Sequence, residues 1–262
     1  MNNKKYVLTL LLPIHLGVLG MFWLTDLSIV NILLFLTGWT LIVGLGVNVG
    51  LHRWASHKSV ILNEFSKPIV IFASILACQG NIIWWAAVHI GKHHKHTDTV
   101  DDEHSPVNYG RWHAFIGWIL AHDPTQVNYK YSKPLLREPL IEKTYKHYET
   151  IIWVTWLIAG LISVDLLLWM FILPAFVGIH SEGLINAFGH SGLGYKNFEL
   201  TNQSTNIPVL GFLTWGNGWH NNHHAKPSSY DFGKGISGRL TEFDPCVIFL
   251  PLIEKHHDKI NL

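Results

Sequence analysis

The sequence predicts an all-α integral membrane protein whose helical cap holds a metal site at one membrane face. Three observations predict it. Hydrophobic residues make up 48% of the 262-residue chain and charged residues only 14%, against about a quarter charged in soluble domains. Apolar runs of spanning length recur along the chain. Histidine is abundant, at 18 residues, and gathers where those runs end. The net charge of +1 and the absence of a basic stripe argue against a nucleic-acid partner. Cys78 and Cys246 are too few and too isolated for a disulfide framework or a Cys-based zinc site.

The first predicted span covers 7–25. It follows a short basic start, Met1 to Lys5, but is longer than the roughly 7–15 apolar residues of a secretory signal, so it reads as a retained anchor. The second covers 29–51 and begins three residues after Asp26, which makes a tight hairpin. The third and fourth, 148–164 and 166–190, make a second hairpin broken near Ser163–Asp165. A span needs about 20 residues. A further apolar stretch, Pro68–Val88, is interrupted at Gln79-Gly80-Asn81. His52 and His57 follow span two, and His93 and His94 follow this stretch. If both pairs bind the same metals they share one side, so Pro68–Val88 enters and returns or lies in the interface. Charge agrees. The two far loops, Asp26–Ser28 and Ser163–Asp165, contain no Lys or Arg, and the positive-inside rule then puts the histidines and both termini in the cytoplasm. The cap is expected over 52–147 and 191–262, within one domain of 1–262. Trp112–Ala121, apolar with aromatic ends, is expected to rest on the membrane surface.

Four clusters carry the chemistry. They are His52-Arg-Trp-Ala-Ser-His57, His89-Ile-Gly-Lys-His93-His94, Asn186-Ala-Phe-Gly-His190 and His220-Asn-Asn-His223-His224. Residues three or four apart share a helix face, as in His220 with His223 and His224, His89 with His93, and Asn186 with His190. The five-residue step from His52 to His57 implies that span two unwinds there, or that the pair reaches two ions. Imidazole suits zinc, copper, iron and nickel, and nine imidazoles exceed the coordination of one ion, which implies two. The Glu-x-x-His step of carboxylate di-iron bundles occurs once, at Glu254 and His257, and reads as a solvated helix end. His-Glu-x-x-His is absent. His15 reads as packed, and His113, His122 and His147 as solvated.

These residues resemble the membrane fatty acyl desaturases, most closely the Δ9 acyl-CoA and acyl-lipid group, from about Val49 to Phe243. Gly50 to Ser59 looks like the first histidine box, Trp85 to Pro106 like the second box and its tail, Asn186–His190 like the Asn-x-x-x-His of the last span, and Trp215–His224 like the third box. The resemblance implies two iron ions held by His52, His57, His89, His93, His94, His190, His220, His223 and His224, with Asn186 acting through a water. It implies that Asp98, Asp102 and His104 orient ligand imidazoles, and that Gln79, Trp84, Trp85 and Trp118 line an acyl tunnel. Three positions depart from the family pattern. The second box reads His-x-x-x-His-His, Ala87-Val88 stands where acyl-CoA members carry Arg-Asp, and Asn217 stands where Glu is common.

The activity implied is oxygen-dependent insertion of a double bond, at Δ9, into an acyl chain carried on CoA, acyl carrier protein or lipid. The sequence shows no haem-binding or Cys-rich electron-transfer module, so an external donor is expected: a b-type cytochrome, a ferredoxin or a rubredoxin. A hydroxylase or acetylenase on the same scaffold is the nearest rival. A non-catalytic membrane metal-binding protein would need polar residues along the spans, and spans one to three carry almost none. A histidine-rich zinc hydrolase is the third rival.

Overall fold

A computed structural model describes residues 3–255. Helix α1 covers Asn3–Leu24 and α2 Ile29–His57. Two short helices follow, α3 (Ser66–Leu76) and α4 (Ile82–Val88). The latter continues as a wider π-helical turn over His89–His94. Helix α5 covers Tyr148–Ile162, α6 Leu166–Phe188 and α7 His220–Ala225. Among the described residues there is no extended sheet, only isolated bridges.

Helices α1, α2 and α6 are long and apolar enough to cross a membrane. Their outward side chains are large and apolar. Leu8, Leu16, Phe22 and Trp23 on α1 are all more than half exposed, an arrangement water disfavours and lipid tolerates. The segment expected as the third span forms α5, an apolar helix of 15 residues. It rises only about 22 Å at 1.5 Å per residue, short of the roughly 30 Å hydrocarbon core.

Polar side chains clasp the two hairpin turns together. Asn31 Nδ2 donates to Asp165 Oδ1 at 2.8 Å and to the Asp26 carbonyl at 2.8 Å. Trp169 Nε1 donates to Thr25 Oγ1 at 3.0 Å. The turns at Asp26–Ser28 and Ser163–Asp165 therefore sit at one end of the molecule.

The apolar stretch 68–88 is two helices broken at Ala77–Asn81. Cys78 and Gly80 take positive φ (57° and 90°) at the break. Its backbone is satisfied from other helices: Tyr6 Oη donates to the Cys78 carbonyl at 2.6 Å, and the Gly80 N–H donates to Tyr148 Oη at 2.9 Å. Helix α3 lies close on α2 because Gly46 and Gly50 leave room. A methyl group at Gly46 would stand 2.4 Å from the Ala73 carbonyl oxygen, and one at Gly50 2.0 Å from Ser74 Oγ.

The C-terminal part is strapped to α2 by Arg53, which is fully buried. Its guanidinium pairs with the equally buried Asp244, donates to the Tyr230 carbonyl at 2.9 Å and lies 3.9 Å over the Phe232 ring. Glu254 does not end a solvated helix. It leaves Leu250–Ile253 in extended form and bridges to Leu62, while His257 lies outside the described residues. Two expectations about single histidines divide. His147 is exposed, whereas His122 is buried. Its ring accepts from Trp84 Nε1 at 3.0 Å and pairs with Glu103 on the other side, so it is a packed polar link and not a solvated side chain.

Removing one partner of a buried ion pair strands the other charge, at a cost of about 3–5 kcal/mol. Asp244→Ala is therefore expected to lower the thermal-unfolding midpoint of the detergent-solubilised protein markedly. An unchanged midpoint would show that the Arg53 strap carries no stability.

Candidate metal centre

The nine box histidines converge in two adjacent groups. His52, His57, His89, His94 and His223 form one; His93, His190, His220 and His224 form the other. Within each group the ligand atoms all lie within 4.8 Å of one another.

Helix winding explains how spacings of five enter one group. The second half of α2, Thr40–His57, is wound as a π-helix, as is His89–His94. Its i→i+5 bonding brings residues five apart onto one face. The His52 and His57 rings lie 4.9 Å apart, and those of His89 and His94 4.5 Å apart. Span two neither unwinds nor sends its pair to two groups. In α7 His220 and His224 share a group as their spacing implies, with Nε2 atoms 3.1 Å apart, but His223 joins the other group, and His89 and His93, expected on one face, are divided between the two. The start of α7 is held by Asn206, whose Oδ1 accepts from the backbone N–H groups of Asn221 and Asn222 at 3.0 and 3.2 Å.

Acceptors fix the tautomers of three rings. His93 Nδ1 faces Asp102 Oδ2 at 3.1 Å, His190 Nδ1 faces Asp98 Oδ2 at 3.2 Å, and His52 Nδ1 faces Asn217 Oδ1 at 2.6 Å. Each Nδ1 therefore carries the proton and each Nε2 a lone pair. Those Nε2 atoms point at other imidazole nitrogens: His52 at His223 (3.0 Å), His190 at His220 (2.8 Å) and His93 at His224 (3.2 Å). His57 and His94 each face His89 Nε2, at 2.9 and 3.0 Å. Lone pairs converging this closely without a proton for each contact repel one another. A cation in each group turns that repulsion into coordination, so the donor set fits two metal ions with imidazole ligands.

Electrostatics favour the ligating state. Burial holds the imidazoles of His89, His94, His220, His223 and His224 well below the usual range, and neighbouring histidines push them further down. They stay neutral, as metal ligands must. Burial also pushes His93 down, but Asp102 and Asp98 outweigh it and raise it. Carboxylates that favour an imidazolium there also favour a metal cation. Burial raises the Asp102 carboxyl, yet His93 and His104 hold it well below the usual carboxylate range. His104 is lowered to about 4 by burial. It stacks between the rings of His93 and Trp118, at 4.9 and 4.8 Å.

A cavity opens beside both groups, lined by His52, His89, His93 and His220 at one end. Gln79, Trp84, Trp85 and Trp118 all face it, as does Asn186. Its remaining wall includes Phe115, Ile119 and Ile179. The surface segment His113–Gly117 closes on α6 because Gly183 admits Phe115, whose carbonyl would lie 2.5 Å from a methyl group there. Ala87 and Val88 are buried, and Val88 lines the cavity. Sequence reasoning missed Glu182 at this cavity and Asn48, which donates to Asn217 Oδ1 at 2.7 Å. An acidic residue inside an apolar run, four positions before Asn186, was the readable signal for the first.

The sequence profile of the fatty acid desaturase family matches residues 29–231. The chain is 31% identical over 225 residues to an sn-1 stearoyl-lipid 9-desaturase from Anabaena variabilis, covering 82% of this chain and 78% of that one. It is 30% identical over 221 residues to an sn-2 palmitoyl-lipid 9-desaturase from Nostoc, covering 78% and 72%. It is 28% identical over 261 residues to a hex-5-enoyl-[acyl-carrier protein] acetylenase from Moorena producens, covering 89% and 78%.

Loss of a carboxylate that orients a ligand histidine typically weakens metal binding or activity about 10–100-fold. Asp102→Asn is expected to weaken one of two bound ions to that extent in a metal titration and to leave the other unchanged. Equal weakening of both would contradict the division into two groups.

Proposed function

The chain belongs to the fatty acid desaturase family, and on that premise we propose that it introduces a double bond at Δ9 of a fatty acyl chain. It is an oxidoreductase acting on fatty acyl chains. The observation that carries the finer reading is the juxtaposition of two histidine groups with one apolar cavity.

The nine histidines and the water-bridging Asn186 would hold two iron ions. Reduced by an external donor, the bound pair supplies oxidation by dioxygen, which removes two hydrogens from adjacent methylenes and leaves water. The chain's own residues do the rest. Trp84, Trp85 and Trp118 form walls that position the alkyl chain and exclude bulk water from the reacting carbons. Asp98 and Asp102 keep the Nε2 atoms of His190 and His93 turned inward.

The membrane arrangement we propose has four spans in two hairpins, with the histidine groups and both termini cytoplasmic and the cap formed by 52–147 and 191–262. The clasped turns at Asp26–Ser28 and Ser163–Asp165 support it, since both lack Lys and Arg. So does α5, short as it is, because Leu157, Ile158, Leu161 and Ile162 are all more than half exposed. The two lipid 9-desaturases favour a lipid-borne acyl chain as substrate, and the uncharged, buried Ala87-Val88 fits that preference. The acetylenase similarity keeps triple-bond formation as the second reading, with acyl carrier protein as carrier. The electron donor is a b-type cytochrome, a ferredoxin or a rubredoxin.

Expression in a host without its own desaturase, followed by gas chromatography of lipid methyl esters, tests this. New Δ9 monoenes are expected, and His223→Ala should abolish them while the protein still inserts in the membrane. Alkynes or hydroxy acids in place of monoenes would overturn the reaction assigned.

A further inference from the structure

Glu182 lies inside the spanning helix α6, and its side chain faces the cavity beside His52 and Asn217. A carboxylate in a spanning helix is expensive unless it is partnered, and such residues mark function. Its partner is Asn217, whose Nδ2 donates to Glu182 Oε1 at 2.9 Å.

That bond fixes which way the Asn217 amide points. Its Nδ2 is turned to Glu182, so Oδ1 is turned the other way, to accept from His52 Nδ1 at 2.6 Å and from Asn48 Nδ2 at 2.7 Å. Asn48 is held in turn, its Nδ2 donating to the Thr214 carbonyl at 2.6 Å. The chain Glu182–Asn217–His52 therefore sets the His52 tautomer and leaves its Nε2 lone pair facing His223.

The two histidine groups differ in this respect. In the four-histidine group, His93 and His190 face carboxylates directly, Asp102 and Asp98. In the five-histidine group, no carboxylate pairs with an imidazole among the described residues; His52 meets an amide instead. Metal-ligating histidines characteristically give their second N–H to a carboxylate, carbonyl or water, which sets ring orientation and basicity.

We propose that Glu182 is the positioning carboxylate of the five-histidine group, acting on His52 through the Asn217 amide. Asn217 relays by hydrogen bonds what a carboxylate at its own position would do directly. The inference rests on reading the two groups as a metal centre.

Exchange of the two groups tests it, with ferrous iron titrated into the metal-free full-length protein in detergent and iron-57 Mössbauer spectra recorded. Wild type is expected to bind two ions. Glu182→Gln should weaken one of them roughly 10–100-fold and shift only that ion's quadrupole doublet. Asn217→Asp should weaken the same ion at alkaline pH, where both carboxyls are ionised and face each other with no proton between them. The double variant Glu182→Gln/Asn217→Asp restores one donor and one acceptor, with the carboxylate now next to His52. It should return to the wild-type range. A purely structural role predicts a double variant at least as impaired as the worse single one.

Unchanged affinity and spectrum in Glu182→Gln, or no recovery in the double variant, would overturn the proposal. If Glu182→Gln fails to accumulate in the membrane, recovery in the double variant supports the proposal and its absence overturns it. A wild type that binds no iron would instead refute the metal centre itself.

Discussion

Nine imidazole nitrogens turned toward one another form the constraint on which the structure depends. With their Nδ1 protons committed to Asp102, Asp98 and Asn217, the rings of His93, His190 and His52 turn Nε2 lone pairs into the cluster. Each Nε2 lies 2.8–3.2 Å from a nitrogen of a second imidazole, the crowding of donor atoms that a bound cation relieves. Everything nearby serves to hold that unfavourable arrangement in place. The π-helical winding of α2 and of His89–His94 aims rings five residues apart into one group. The Asn206 side-chain Oδ1 holds the start of α7, and the buried Arg53–Asp244 pair ties the C-terminal part to the end of α2 next to His52. Arg53 follows His52 in sequence, so the same turn of helix carries a histidine of the cluster and the anchor.

The orienting carboxylates of Asp98 and Asp102 lie behind the rings of His190 and His93, and the Trp85 indole stacks on His89 at 4.6 Å. Burial gives the cavity the dryness that oxidation of an alkyl chain requires. The same dryness makes each polar exception informative. The broken helix at Ala77–Asn81 would leave backbone groups stranded, and Tyr6 and Tyr148 bring hydroxyls from two other helices to meet them. Glu182 is the exception on the cavity side, and its bond to Asn217 is the reason it can be there.

Much of the site was legible in the sequence because metal ligation constrains residue type and order. The boxes at His52, His89, His190 and His220 come together as their order implies, and Gln79, Trp84, Trp85 and Trp118 share a cavity with them. The break in 68–88 was visible in Gln79-Gly80-Asn81. What was not legible depends on winding and on pairs distant in sequence. A π-helix and an unwound end make the same demand on His52 and His57, and only the backbone separates them. His122 reads as one more polar surface residue until Trp84 and Glu103 are found on either side of it. Asn217 was visible as a departure, but its meaning required Glu182, 35 residues earlier in another helix. The break near Ser163–Asp165 was visible too, and the helix before it ends at Ile162, two residues short of the expected bound, where Ser163 turns extended.

Anomalous diffraction at the iron absorption edge, from crystals of the protein purified with its metal, tests the central claim most directly. Two iron peaks are expected, one among His52, His57, His89, His94 and His223 and one among His93, His190, His220 and His224. A single peak, or density that responds at the zinc edge alone, would contradict the account.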